Sequence, residues 1–422
     1  MRRWPWSGVA GFSRHLTSRP LSNIPSIPTD VERISVRTGS AGSVFVDLHN
    51  IGTVSSSDPL LIYLPPFASA STNTPPRVPA FLRKYPTAVI NYRWAGVDSF
   101  EDHKPLQVSA QDLHEHAPLL SLPPEIWPVP VHDTLTAYSW IVENLTPPTY
   151  TRRDVYVYGS YLGASLATSL SLTESYPHQR MAVRGCIAYN GIYNWTMFLP
   201  DHQINKNSNT NAVNVLEDIL GQPTDPAFQD LKDDMPDLFG EPSQLFDPFV
   251  SPCLFFQTPG LLVPQKFDAS ADPVISMLGS TVAASAEAQE AIKALLQMMK
   301  DKPPRRSPLA FPPRQSTLKI PETLLLHTEL PPPPMTFQKR RRKAVVGNHF
   351  KTQAHELMSL MRRSLEKLEL RERSKWDQDF EGYLEVNRRV QCYDVGKDEQ
   401  PFHLPDYGKE LACEWLEDRM SR

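Results

Sequence analysis

Cysteine is scarce and scattered. Cys186, Cys253, Cys392 and Cys413 are all there are in 422 residues, with no C-x-x-C pair. That argues against a disulfide framework or a zinc motif read from local spacing, and it suits a reducing compartment. Apolar runs are short too, and none approaches the roughly 18–20 residues that cross a bilayer. Charge of one sign is lacking: the net is −4, so the whole chain has no electrostatic bias toward nucleic acid or membrane. There is no Walker loop and no His/Asp set at usable ligand spacing, so no cofactor and no metal is expected. Acidic residues are missing from the first 29 positions, which hold Arg2, Arg3, Arg14, Arg19 and several serines. An arginine-rich, serine-rich, acid-poor start has the composition of a mitochondrial targeting segment, and residues 1–29 are read as one, directed to the matrix. Pro5 and Pro20 work against its helix, and a cytosolic tail is the alternative.

Proline is abundant instead, at 42 residues, and implies long, stiffened connections. Between them the chain alternates strand-like and helix-like runs. Glu32–Thr38 and Gly42–His49 alternate as a hairpin. Pro59–Leu64, Thr87–Tyr92, Asp154–Tyr158, Arg184–Tyr189, Glu322–His327 and Arg389–Val395 are short apolar or β-rich runs, suited to buried strands. Asp133–Leu145 carries Leu135, Tyr138, Ile141 and Val142 at helical spacing. Strands alternating with helices predict an α/β fold with a mostly parallel, eight-stranded sheet covered on both faces. The rhythm breaks over about 196–320, where polar Asn205–Asn211, acidic Asp225–Asp237 and helical Val282–Lys300 read as a cap insertion in a single domain of residues 30–422. A second insertion, about 330–347, holds Pro331–Pro334 and then Lys339, Arg340, Arg341, Arg342 and Lys343: a polyproline spur with a basic tip.

One run carries the most chemistry. Asp154–Tyr158 leads into Gly159-Ser160-Tyr161-Leu162-Gly163 and then into the small-residue helix Ala164–Leu170. Strand, Gly-x-x-x-Gly, helix is the setting of a nucleophile elbow, in which glycines allow a sharp turn and the middle side chain stands above the sheet. Asn91-Tyr92-Arg93-Trp94 and Trp127-Pro128-Val129-Pro130-Val131-His132-Asp133 complete an ordered set. Together they resemble a fungal member of the α/β-hydrolase group related to hormone-sensitive lipase and similar carboxylesterases. The likeness is good over roughly 30–200 and loose over 245–420. The first motif is similar to that family's D-Y-R-L, the second to its F-P-A-A-x-x-D, and Gly159–Ala164 stands in for its G-D-S-A-G-G.

The resemblance implies an esterase scaffold, but the residues it needs are replaced. An esterase requires an activated hydroxyl, a base, a group that orients the base, and oxyanion donors. The nucleophile position is Tyr161, whose phenol has an ordinary pKa near 10 and whose oxygen lies well beyond the reach of a serine hydroxyl. Ser160 occupies the family's aspartate position and Ser165 lies a turn into the helix; neither is aimed as a substitute. Where the family has H-G-G-G, this chain has Pro65-Pro66-Phe67-Ala68, and two prolines remove two N–H donors. Asn348 falls on the acid position, with Glu329 as a fallback. His403 is the one histidine placed to be a relic of the base, with a surface loop as its alternative. His327, inside a strand, reads as a core residue.

Two classes of function follow. The first is a non-catalytic binding or scaffold protein, with the basic spur suited to a phosphate backbone, an acidic protein or anionic lipid. From Lys302 to Lys343 there are ten Lys or Arg against two acidic residues, Glu322 and Glu329, so a mitochondrial RNA-containing assembly is a natural partner; a solvated loop or a nuclear import signal are the others. The second is an enzyme of the superfamily, either a lyase or transferase that uses Tyr161 and His403, or an ester hydrolase acting through another serine, with a small acyl compound as ligand. A filled pocket over Tyr161, closed by Phe67, marks the first class; an open one marks the second.

Overall fold

The computed structural model describes residues 31–39, 42–52, 55, 57–68, 78–94, 126–148, 150–206, 226–269, 304–328, 347–377, 380–396 and 400–421. The 1–29 segment, the 282–300 run, Glu329 and the basic tip at 339–343 lie outside them.

Eight strands form one sheet: β1 Val31–Arg37, β2 Ser43–His49, β3 Leu60–Leu64, β4 Thr87–Asn91, β5 Arg153–Ser160, β6 Met181–Tyr189, β7 Glu322–His327 and β8 Val390–Asp394. Their order is β1-β2-β4-β3-β5-β6-β7-β8. β2 runs antiparallel to both its neighbours, and every other pairing is parallel. That order, with helical crossovers after β5 and β7, is the α/β-hydrolase fold.

Burial follows position in the sheet. All five residues of β3 and of β4 are buried, as expected of central strands covered on both sides. Edge strand β1 buries one residue of seven, and β8 one of five. One face is covered by helices α1 Val129–Leu145, α2 Leu162–Thr173 and α4 Phe350–Ser364, and the other by the C-terminal helix α6 Asp406–Met420. Between β6 and β7 lies a helix α3, Pro226–Asp233, and between α4 and β8 another, α5, Gly382–Arg389.

Helix α2 is buried along all but its last residue. Small side chains let it lie close on the sheet, and its hydroxyls cost little because each bonds a carbonyl: Ser165 to Leu162, Thr168 to Ala164, Ser171 to Ala167 and Ser169 to Phe249. None of the described helices is long and apolar enough to cross a membrane.

Candidate functional site

β5 ends at Ser160 and α2 begins at Leu162, so one residue, Tyr161, makes the turn, at φ 54° and ψ −117°. A non-glycine residue there is strained by about 1–3 kcal/mol. The surroundings hold it. Its N–H donates to the Tyr189 carbonyl at 2.9 Å, and its carbonyl accepts from the Ala164 N–H at 3.2 Å. The two flanking glycines are required by contact. A Cβ on Gly159 would stand 2.4 Å from the Gly163 carbonyl oxygen, and one on Gly163 would stand 2.2 Å from that of Pro65. The elbow therefore passes with no gap beneath the loop that follows β3.

The Tyr161 side chain does not stand clear of the sheet, as the motif alone suggests. It is buried, with 2% of its surface exposed. Phe67 covers one side, ring centroids 5.3 Å apart, and Phe350 another at 6.1 Å. The phenol donates to the carbonyl of Ala227, on α3, at 3.4 Å. Phe402 meets Phe67 edge-on at 5.0 Å, and Phe228 meets Phe350 at 4.5 Å. A phenol beside so many rings gains more from burial and edge contacts than from exposure above the sheet.

In the loop after β3 the Leu64 and Pro65 carbonyl oxygens lie against Gly163. Pro65 and Pro66 have no donor, and the Pro65 oxygen accepts from the Tyr92 hydroxyl at 2.7 Å. Phe67 occupies the space above the elbow. Of Pro65, Pro66 and Phe67, it is Phe67 that covers Tyr161, while the Pro65 carbonyl lies over Gly163.

The other two positions are engaged elsewhere. Asn348 Oδ1 accepts from Gln353 Nε2 at 2.8 Å. Gln353 Oε1 in turn takes the backbone N–H groups of Tyr193 and Asn194 at 3.0 and 2.8 Å, so Asn348 helps fix the loop after β6. His403 is exposed; its ring lies against Phe402 at 4.7 Å, and among the described residues no hydrogen bond joins it to Tyr161 or Asn348. Phe402, one residue earlier, is the side chain that reaches the elbow side of this loop. Asn190, at φ 46°, places the loop by donating to the Pro401 carbonyl at 2.7 Å and accepting from the Thr328 N–H at 2.9 Å. Ser165 is buried and donates to the Leu162 carbonyl at 2.8 Å.

The two supporting motifs do meet. Arg93 holds the fully buried Asp133 through two side-chain contacts, Nε to Oδ2 at 2.9 Å and a terminal nitrogen to Oδ1 at 2.7 Å, and through its backbone N–H at 3.0 Å. Trp94 and Trp127 lie together at 5.8 Å, both against Phe239. Each indole donates to the segment between β6 and β7, Trp94 to the Leu238 carbonyl at 3.0 Å and Trp127 to Asp247 at 3.1 Å.

Solved structures similar to this chain are carboxylesterases and hormone-sensitive-lipase-like α/β-hydrolases. Carboxyl esterase 2 from the mycorrhizal fungus Tuber melanosporum is 12% identical over 94% of this chain and 87% of its own, with a TM-score of 0.46. A fungal esterase from Rhizomucor miehei is 11% identical over 94% and 84%, TM-score 0.43. A hormone-sensitive lipase from a metagenome library is 13% identical over 92% and 86%, TM-score 0.42. No protein-family model and no curated protein matches the sequence. The fold assignment rests on the strand order and pairing described above.

Sequence reasoning missed the residues that close the site. Ala227, Phe228, Phe350 and Phe402 carry no motif, and nothing in their spacing marks them. It also missed a group formed across three elements. His327 at the end of β7, His355 on α4 and Cys392 on β8 bring one donor atom each within 4.8 Å of one another. The expectation of no metal-ligand set came from spacing along the chain, which cannot register a set assembled by strand pairing.

Proposed function

We propose that this chain is a catalytically silent α/β-hydrolase-fold protein that acts by binding. The observation that carries the reading is the sealed elbow: Tyr161 in place of serine, packed under Phe67 and bonded to Ala227. Hydrolysis needs a hydroxyl that a base can reach and donors for the oxyanion. Here the hydroxyl is a phenol engaged with a carbonyl, the nearby loop lacks two donors, and His403 bonds neither Tyr161 nor Asn348.

The test is a panel of short- and medium-chain p-nitrophenyl acyl esters, run on wild type, Tyr161→Phe and Tyr161→Ser. The reading expects no turnover above the buffer rate from any of the three. Turnover in wild type that disappears in Tyr161→Phe would make the phenol a working group and overturn it.

We further propose that residues 1–29 direct the chain to mitochondria and that Lys339, Arg340, Arg341, Arg342 and Lys343 engage an acidic or phosphate-rich partner. Composition supports both. A fluorescent reporter fused to residues 1–29 that stays in the cytosol would refute the first. RNA affinity that is unchanged when Arg340, Arg341 and Arg342 become Ala would refute the second in its RNA form.

A further inference from the structure

We infer that His327, His355 and Cys392 form a binding site for a zinc-class divalent cation at the C-terminal edge of β7 and β8, under α4. This is separate from the elbow and does not depend on its chemistry. In the strand register Cys392 pairs with Leu325, and His327 lies two residues further on, so both side chains face the same side of the sheet. Helix α4 covers that side and brings His355 over the pair.

The geometry and donor set suit a borderline-soft cation. The three donor atoms lie within 4.8 Å of one another. A tetrahedral zinc with bonds of about 2.0 Å to nitrogen and 2.3 Å to sulfur holds its ligand atoms about 3.3–3.7 Å apart. Closing the set therefore needs a shift of at most about 1.5 Å, and His355 is on the exposed side of the group. Two imidazoles and one thiolate favour zinc or cobalt over magnesium or calcium, which take oxygen ligands.

The surroundings fit a ligand role. His327 is buried, and its Nδ1 faces the Thr328 carbonyl at 3.3 Å. With that nitrogen protonated toward the carbonyl, Nε2 carries the lone pair, the arrangement common among metal-bound histidines. Burial pushes the Cys392 thiol up to about 12, so without a cation it is an inert thiol. Asp394, paired with His327 in the register, adds negative charge nearby, while Lys351 and Arg362 oppose it. Arg362 is already committed to the Val390 carbonyl at 3.0 and 2.7 Å. On binding, the S–H bond of Cys392 breaks, a sulfur–metal bond forms, and the proton leaves to solvent. Three protein ligands leave one tetrahedral position for water.

Cobalt(II) titration of the full-length, metal-free protein tests the site. The expected result is one equivalent bound, with a thiolate-to-cobalt charge-transfer band and d–d bands of tetrahedral intensity, all displaced by zinc. Cys392→Ser abolishes the charge-transfer band, and His355→Ala weakens cobalt binding at least tenfold while its metal-free thermal midpoint matches wild type. No charge-transfer band in folded wild type at saturating cobalt would overturn the assignment, as would a band that persists in Cys392→Ser. Should Cys392→Ser fail to fold, His355→Ala decides: unchanged affinity there refutes the site.

Discussion

The ring of Phe67 lies 5.3 Å from the ring of Tyr161, tilted by 58°. Phe67 belongs to the loop after β3, and Tyr161 makes the turn between β5 and α2. Their contact joins the loop after β3 and the β5–α2 turn into one piece of core.

If Tyr161 is core, its removal should be felt as core. Tyr161→Ser deletes a buried ring and should lower stability by about 3–5 kcal/mol, the range for large aromatic truncations. Urea unfolding of the variant beside wild type measures this. A loss under about 1 kcal/mol would mean that the ring is not held as described.

Gly163 should tolerate no side chain. Its added Cβ would meet backbone oxygens of Pro65 and Leu64 at 2.2 and 2.4 Å, and backbone cannot swing aside as a side-chain tip can. Gly163→Ala should cost about 3 kcal/mol or more, whereas Gly39→Ala, with nothing within 4 Å of its Cβ but a φ of 56°, should cost only the backbone strain, about 1 kcal/mol. Thermal midpoints of the two variants give the comparison.

Arg93→Ala removes the guanidinium that faces Asp133, whose side chain is fully buried. An uncompensated buried carboxylate costs about 3–5 kcal/mol. The same unfolding series reads it, and a change within 1 kcal/mol of wild type would contradict a structural role for the pair.

His202 should make the protein acid-sensitive. Burial, helped by the nearby Arg306 charge, lowers its pKa from 6.5 to about 4, and its Nδ1 accepts from the Ile204 N–H. The unfolded chain therefore binds a proton below about pH 6.5 that the folded chain refuses until about pH 4. Stability contributed by neutral His202 is present above the unfolded pKa and is lost as pH falls through that window, by at most about 3 kcal/mol. Urea midpoints at pH 7 and pH 5 should converge in His202→Gln. Equal slopes in variant and wild type would count against the burial.

Much of this architecture is legible in the sequence. The first two strands are marked by hairpin alternation and the other six by short apolar or β-rich runs, and the elbow is marked by two glycines that contact alone now justifies. The single-residue turn at Tyr161 follows from that spacing. What could not be read was which side chain fills the space above it. Phe402 rather than His403 turns inward, a choice made by the loop that Asn190 ties to Pro401. Asn348 aligned with an acid position but is drawn into the Gln353 network by a hydrogen bond no spacing reveals. The His327, His355 and Cys392 group was invisible for the same reason: strand pairing and one helix bring together residues 28 and 37 positions apart.

Residue-resolved nitration with tetranitromethane, mapped by mass spectrometry on the folded protein, tests the sealed elbow most directly. Tyr150, Tyr383 and Tyr407 are 100%, 72% and 55% exposed, against 2% for Tyr161. The account predicts that those three are modified while Tyr161 stays untouched until the protein unfolds. Nitration of Tyr161 in the folded state at a rate near that of Tyr383 would show an open phenol above the sheet, and the closed elbow would be wrong.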